Sequence, residues 1–209
     1  STLSENDAIG GGSAIHNASG SLTLSNSILA NSTSGGDCVN VGGTITFLGQ
    51  NLIEDGSCGA DTNSQLTGDP MLGPLQDNGG PTQTFALLTG SPAINAGDNT
   101  FLSESAFTPP VDFDGDGLTT GSLTTDQRGT GFPRILNTTV DLGAYEFFDV
   151  CQGLTFPASV STEADLNQAI TCYNQQTLAA TYTINLTGNI TLTANITPIN
   201  NSNAGVQLA

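Results

Sequence analysis

The chain has no lysine and no tryptophan, and only two arginines, one histidine and one methionine among its 209 residues. So few cations exclude nucleic-acid binding, because neutralising phosphates takes Lys and Arg. The 19 acidic residues and net charge of −17 likewise set the chain against an anionic membrane surface. Large apolar side chains are scarce: 36% of residues are hydrophobic and 6% aromatic, too few for a thick globular core. No apolar run is long enough to span a bilayer, and no signal-peptide pattern opens the sequence. The solitary His16 leaves no Cys/His cluster for zinc. A Ser-His-Asp triad would have to use His16, yet no nucleophile elbow is visible.

Charged residues make up only 10% of the chain and prolines number nine, which argues against disorder. Ser, Thr and Asn supply about a third of the residues and Gly adds 26. β-branched Thr with turn-forming Asn, Ser and Gly suits many short strands joined by tight turns.

Four cysteines, Cys38, Cys58, Cys151 and Cys172, allow three pairings. Local pairing closes short loops, each worth roughly 3 kcal/mol in the chain-entropy model. We therefore expect Cys38–Cys58 and Cys151–Cys172, and with them an oxidising compartment.

Short segments echo one another in the first 60 residues. Leu22 and Leu24 precede Ile45 and Phe47 by 23 residues, and Asn26 and Ile28 precede Asn51 and Ile53 by 25. A period in the low twenties matches one turn of a parallel β-helix, whose thin core needs few apolar residues per turn. An antiparallel β-sandwich is the competing arrangement. Asn at equivalent corners predicts a stacked hydrogen-bonded ladder. From residue 66 to 148 Gly and Pro rise, and the segment reads as loops covering the end of the stack.

Four motifs stand in this stretch: Gly68-Asp69-Pro70-Met71-Leu72-Gly73-Pro74-Leu75-Gln76-Asp77-Asn78-Gly79-Gly80-Pro81-Thr82, Gly90-Ser91-Pro92-Ala93-Ile94-Asn95-Ala96-Gly97, Thr125-Asp126-Gln127-Arg128-Gly129 and Asp141-Leu142-Gly143-Ala144-Tyr145-Glu146. In this order they resemble the C-terminal part of bacterial right-handed parallel β-helix repeat surface proteins, the choice-of-anchor Q group and relatives of polymorphic outer-membrane adhesins. The resemblance implies an all-β, right-handed parallel β-helix in large secreted surface proteins, with a loop-rich C-terminal cap. It implies no defined enzymatic activity.

After Glu146 the pattern restarts. Ser161 or Thr162 is a natural N-cap with Glu163 and Asp165 in the first turn, and Leu166, Ala169, Ile170 and Tyr173 share one helical face. This predicts a short capping helix near 161–174, followed by strands at 182–186 and 190–196. The stretch is similar to the opening of the same β-helix class. The domain reading is therefore residues 1–148 as the end of one β-helix and 149–209 as the start of a second. Because the sequence opens in mid-repeat, we expect a mature piece of something longer.

Asp112-Phe113-Asp114-Gly115-Asp116-Gly117-Leu118 has the DxDxDG spacing of a calcium loop. Leu123 stands where such a loop carries its Glu, and Asp126 is the carboxylate offered in its place. Asp112, Asp114, Asp116, Leu118 and Asp126 are thus the candidate Ca²⁺ set. Arg128 and Arg134 read as partners of Asp126, Asp141 or Glu146 in a buried ion pair. The pectate lyases and glycosidases built on β-helices need a cationic base or paired carboxylates. Residues 1–60 hold no Lys or Arg, and Asp7, Asp37, Glu54 and Asp55 show no recurring pair.

The expectation is a non-catalytic, secreted structural protein, a self-assembling filament subunit or a surface stalk of tandem solenoids joined head to tail. Tyr182, Ile184, Leu186, Ile190, Leu192, Val206 and Leu208 of one copy would lie against Leu22 and Leu24 of the next. Non-closing contacts of that kind make fibres. The alternatives are an adhesin that binds glycans or other surface proteins, and a carbohydrate-active enzyme.

Overall fold

A computed structural model describes the chain except for residues 10, 61–64, 114, 115, 137, 150, 152, 153, 155, 175–179, 194, 195, 202–206 and 209. It divides into two compact units, Ser1–Phe147 and Phe148–Ala209.

The first unit opens with β1 (Thr2–Ser4), β2 (Ile15–Asn17), β3 (Ser21–Ser25), β4 (Ile28–Ala30), β5 (Cys38–Asn40), β6 (Thr44–Leu48) and β7 (Leu52–Ile53). All pair in parallel, as β1-β4-β7, β2-β5 and β3-β6. Leu22 lies opposite Ile45 and Leu24 opposite Phe47, so the 23-residue echo is a true register. The 25-residue echo is not, because Ile28 lies opposite Leu52 rather than Ile53.

That one-residue difference follows from what each face buries. Ile28, Ala30 and Leu52 pack with Leu87, Ala93 and Leu142 on one side. Leu29 and Ile53 pack with Leu24, Cys38 and Ala60 on the other. A sheet covered on both faces reads as a continuous apolar run, here Ile28-Leu29-Ala30, and a slip of one residue would exchange the two cores. Fully buried Asn51 fastens the neighbouring bend. Its Oδ1 accepts from the Ser27 N–H at 2.9 Å, and its Nδ2 donates to the Leu24 carbonyl at 3.3 Å. In place of the expected Asn ladder a single pair forms at another corner, where Asn17 Nδ2 donates to Asn40 Oδ1 at 3.0 Å.

Beyond β7 the pattern changes. The Ile53 N–H donates to the Leu66 carbonyl and the Leu66 N–H to the Asn51 carbonyl, both at 2.9 Å, which closes the β7 edge. β8 (Leu72–Gln76) and β9 (Thr84–Leu87) then pair antiparallel, with an irregularity between Leu72 and Leu75. Short 3₁₀ turns at Asn99–Leu102 and Glu104–Ala106 follow. The segment continues without a named strand among the described residues to the end of the unit.

The second unit holds β10 (Ala158–Val160), α1 (Glu163–Asn174), β11 (Thr181–Tyr182), β12 (Ile184–Leu186) and β13 (Gln207–Leu208). β10 pairs with β12 and β11 with β13, both in parallel. Helix α1 starts where its caps dictate: the Asp165 N–H donates to Thr162 Oγ1 at 3.1 Å, and Asp165 Oδ2 accepts from the Thr162 N–H at 3.2 Å. The two residues cap each other reciprocally. The helix buries Ala169, Ile170, Cys172 and Tyr173. Ala158, Val160 and Ala169 form a small core with Leu166 and Ile184, while Tyr182 stacks edge-on against Phe156 and Tyr173. The strand expected at 190–196 does not form among the described residues. Side chains of α1 take its backbone groups instead: Glu163 accepts from the Thr193 N–H, Asn167 from Thr197 and Asn174 from Asn200.

The right-handed parallel β-helix expected from the sequence is therefore corrected. Among the described residues there is no continuous solenoid sheet; there are small sheets of two or three strands, one of them antiparallel, and one α-helix. The physical reason is that an echo fixes which segment a strand pairs with, not how many strands follow. After Ile53 no third echo exists, and Gly- and Pro-rich segments cannot continue a ladder.

Replacing Asn51 with Ala should destabilise the first unit by about 2 kcal/mol, because it strands the buried Ser27 N–H and the Leu24 carbonyl. Denaturation followed by circular dichroism measures it, and a loss under about 0.5 kcal/mol would mean that water replaces Asn51 freely.

Candidate assembly edges

A strand with one unpartnered side presents a row of N–H and C=O groups to any further chain. Among the described residues of the first unit, β1 ends the three-stranded sheet and both strands of the pairs β2-β5 and β3-β6 are end strands, whereas the β7 side is closed by Leu66. In the second unit both strands of β10-β12 and of β11-β13 are end strands among the described residues.

The residues proposed for assembly fall into three groups. Leu24 is buried, and Leu22 packs half-buried against the same cluster, so β3 offers its backbone edge rather than these side chains. Tyr182 is buried, and Ile184 and Ile190 are half-buried against the core of the second unit. Leu186 and Leu192 are exposed. Val206 lies outside the described residues, as does the Leu208 side chain, although the Leu208 backbone pairs with Tyr182. Ile196 and Ile199 are also exposed and had not been singled out. Ile196 extends the alternation of Ile190 and Leu192, which could have flagged it.

The disulfides join Cys38 to Cys58 and Cys151 to Cys172, with Cα separations of 5.4 and 4.9 Å. The first ties β5 to the turn after β7. The second ties α1 to the segment ahead of β10. Two such bonds indicate an oxidising environment. No helix is long and apolar enough to cross a membrane among the described residues.

The arginines hold the loop-rich part of the first unit together. Arg128 grips Asp126 through Nε and Nη2, the latter at 2.6 Å from Oδ2, and Nη2 also donates to the Glu146 carbonyl at 2.8 Å. Its guanidinium lies 4.1 Å from the Phe132 ring centre and 3.8 Å from that of Tyr145. Arg134 reaches Glu146 Oε2 at 3.2 Å and the Asp141 and Gly143 carbonyls at 3.2 and 2.7 Å. Asp141 accepts from the Asn95 and Phe147 N–H groups. All five charged side chains are buried.

This arrangement gives Asp126 a role other than the calcium ligand expected of it. Its oxygens are taken by Arg128 and by the Arg128 and Glu146 N–H groups. Of the rest of that set, Asp114 lies outside the described residues. Asp112 accepts from the Gly117 N–H, exposed Asp116 accepts from Leu118, and the Leu118 side chain is exposed. No cluster of three metal-ligating side chains occurs among the described residues.

The sequence also gave no hint that Asp37, Glu54 and Asp55 converge. With Asn31, Ser32 and Thr33 they line a cleft of about 350 Å³. Their carboxylates face inward to backbone: Asp37 accepts from the Ser32 and Asp55 N–H groups, Asp55 from Asp37 and Ser57, and Glu54 from Asn31. Burial pushes the Asp55 carboxyl up, but hydrogen bonds from the Ser57 hydroxyl and from the Asp37, Ser57 and Asp55 N–H groups hold it below its ordinary value. A general acid for glycoside cleavage needs the reverse shift.

No protein-family model matches the chain, and no curated protein or solved structure matches it.

Two outcomes follow from the arginine cluster. Arg128→Ala should cost about 3–5 kcal/mol, because it leaves Asp126 buried and uncompensated; a melting shift within error would refute that role. The second concerns pH. Burial, then repulsion from Asp141, push Glu146 up to about 7 against the pull of the Asp141 N–H and Arg134. A carboxyl raised on folding lends stability that is full below its unfolded value of 4.5 and is lost as pH rises through about 7. Glu146→Gln should therefore melt near the parent at pH 5 and above it at pH 8. A variant that falls further below the parent at pH 8 would show Glu146 to be held as the ionised partner of Arg134.

Proposed function

We propose that the chain is a non-catalytic extracellular structural protein that joins copies of itself head to tail through its open strand edges. The observation that carries this reading is the parallel pairing of short strands in both units, β1-β4-β7, β2-β5 and β3-β6 in one and β10-β12 and β11-β13 in the other, in sheets of only two or three strands among the described residues. Unsatisfied edge groups recruit further strands, and a contact between two different surfaces propagates rather than closing on itself.

Other observations support it. The two disulfides suit a secreted protein that meets no reducing agent. The four motifs resemble those of bacterial surface proteins. Their conspicuous charged residues, Asp126, Arg128, Asp141 and Glu146, are spent on holding loops rather than facing a cleft. The acidic cleft offers carboxylates already committed to backbone N–H groups, which argues against glycan cleavage.

Negative-stain electron microscopy and light scattering of the purified chain test the reading. Long uniform fibres or end-to-end oligomers are expected. Monodisperse single copies that retain a glycan on an array would favour adhesion instead, and release of sugars from an acidic glycan would overturn the non-catalytic reading.

A further inference from the structure

We infer that the cleft between the ends of β4 and β7 and the start of β5 binds a guanidinium group supplied by another molecule. This site is independent of how copies of the chain are joined.

Three chain segments meet to form the cleft. Asn31, Ser32 and Thr33 follow β4, Asp37 precedes β5, and Glu54 and Asp55 follow β7. The Cys38–Cys58 bond ties the second segment to the turn beyond the third, and the Cys38 N–H donates to Ser57 Oγ at 2.9 Å. Gly36 lets Asp55 come close: at its φ of 74° a Cβ would stand 3.0 Å from Asp55 Oδ2. The hollow of about 350 Å³ falls within the range of small-ligand clefts, roughly 300–1,000 Å³.

Its carboxylates are set for a cation. Asp37, 2% exposed, accepts from the Ser32 N–H on one oxygen and the Asp55 N–H on the other. Glu54 accepts from the Asn31 N–H at 2.6 Å through Oε2. A carboxylate has about four lone-pair sites, so these bonds orient each group without exhausting it. Burial pushes Asp55 up, but its hydrogen bonds hold it below its ordinary value, which keeps it ionised. No cation stands among the lining residues.

Ser32 is the independent sign that something enters. Its Oγ is buried and has no hydrogen-bond partner, and among the described residues no other buried side-chain oxygen or nitrogen stands alone. The Ser32 N–H is held by Asp37 Oδ1 at 3.2 Å, so the residue sits beside the most buried carboxylate of the cleft. Buried polar groups are almost always paired, and one left open on a cleft wall marks a missing partner.

The spacing of the acceptors selects that partner. No three ligating side chains converge on one point among the described residues, so Asp37, Glu54 and Asp55 cannot share a bare metal ion. An ammonium is a compact point charge and meets the same limit. A guanidinium carries five N–H donors in a planar fork, which reaches separated carboxylates and a hydroxyl oxygen together. The chain cannot supply it: it has no lysine, and Arg128 and Arg134 are buried in their own ion pairs.

Calorimetry on the whole chain tests the site with N-acetylarginine amide, N-acetyllysine amide and Ca²⁺. The arginine probe is expected to bind, and the lysine probe to bind at least about fivefold more weakly. Ser32→Ala should weaken the arginine probe about threefold and leave the melting of the empty chain unchanged or raised, because it deletes a hydroxyl that has no partner. Glu54→Gln, which keeps an acceptor for the Asn31 N–H, should weaken the probe about tenfold. A lower melting point for Ser32→Ala would show that its hydroxyl is already satisfied and would overturn the inference. So would the absence of heat with the arginine probe, or equal binding by parent and variants. Equal binding of the lysine probe, or tighter binding of Ca²⁺, would put a point charge in the cleft and overturn the guanidinium. A peptide with one arginine between neutral residues distinguishes the sources: tighter binding than the amide probe assigns the group to a protein partner, and equal binding assigns it to a small free molecule.

Discussion

Backbone groups that no sheet or helix can satisfy are the constraint on which this structure turns. A buried N–H without a partner costs as much as a lost hydrogen bond. From residue 66 to 147 the described residues of the first unit form two named strands and a pair of 3₁₀ turns. Its N–H groups are met partly by carbonyls of other loops and partly by side-chain carboxylates and amides. Glu104, 1% exposed, accepts from the Phe113 and Gly121 N–H groups. Asp98 accepts from Thr100, and the Asn26 side chain both accepts from the Asp98 N–H and donates to its carbonyl. Asp126, Asp141 and Glu146 do the same work around the two arginines. The buried part of the chain's acidity, Asp37, Glu104, Asp126, Asp141 and Glu146, is thus internal wiring for irregular backbone.

This also explains how so thin a core suffices. The sheet β1-β4-β7 is covered on both faces by short side chains, and each covering cluster contains only five or six buried residues. Loops that were merely draped over that sheet would lose more conformational entropy than such clusters return. Charge-assisted bonds to backbone are stronger than neutral ones and fix direction as well as distance. Arg128 adds area, because its guanidinium is flanked by Phe132 and Tyr145. Removing one member of such a set leaves several others unpaired.

Legibility in the sequence follows the same division. Where partners are close in sequence or set by periodicity, residues announced their places. The pairing of Leu22 with Ile45 and of Leu24 with Phe47 came from spacing alone, as did both disulfides and the cap of α1. The match of Ile28 with Ile53 missed by one, because a strand buried on both faces has no polar alternation to set its phase. The solenoid was over-read from two echoes. The convergence of Asp37, Glu54 and Asp55, and the burial of Glu104, had no local signal, since each carboxylate answers an N–H whose position depends on the folded loop. Of the end strands, β3 and the strands near Tyr182–Leu186 were visible in the sequence, but β1 and β2, the exposure of Leu186 and the closure of β7 by Leu66 were not.

One accounting rule then covers both halves of the charge pattern. Carboxylates gather where backbone is irregular and are dispensable where a ladder supplies the acceptors. The segments from 8 to 36 and from 166 to 209 contain strands paired in parallel, and they contain no acidic residue. The two acidic residues at the first edge, Glu5 and Asp7, fit the rule: Glu5 follows β1 with a positive φ of 57°, at the point where the strand ends. Where carboxylates do stand beside strands, as Asp37 does before β5 and Glu54 and Asp55 do after β7, they accept from N–H groups of the adjoining turns rather than from the ladder.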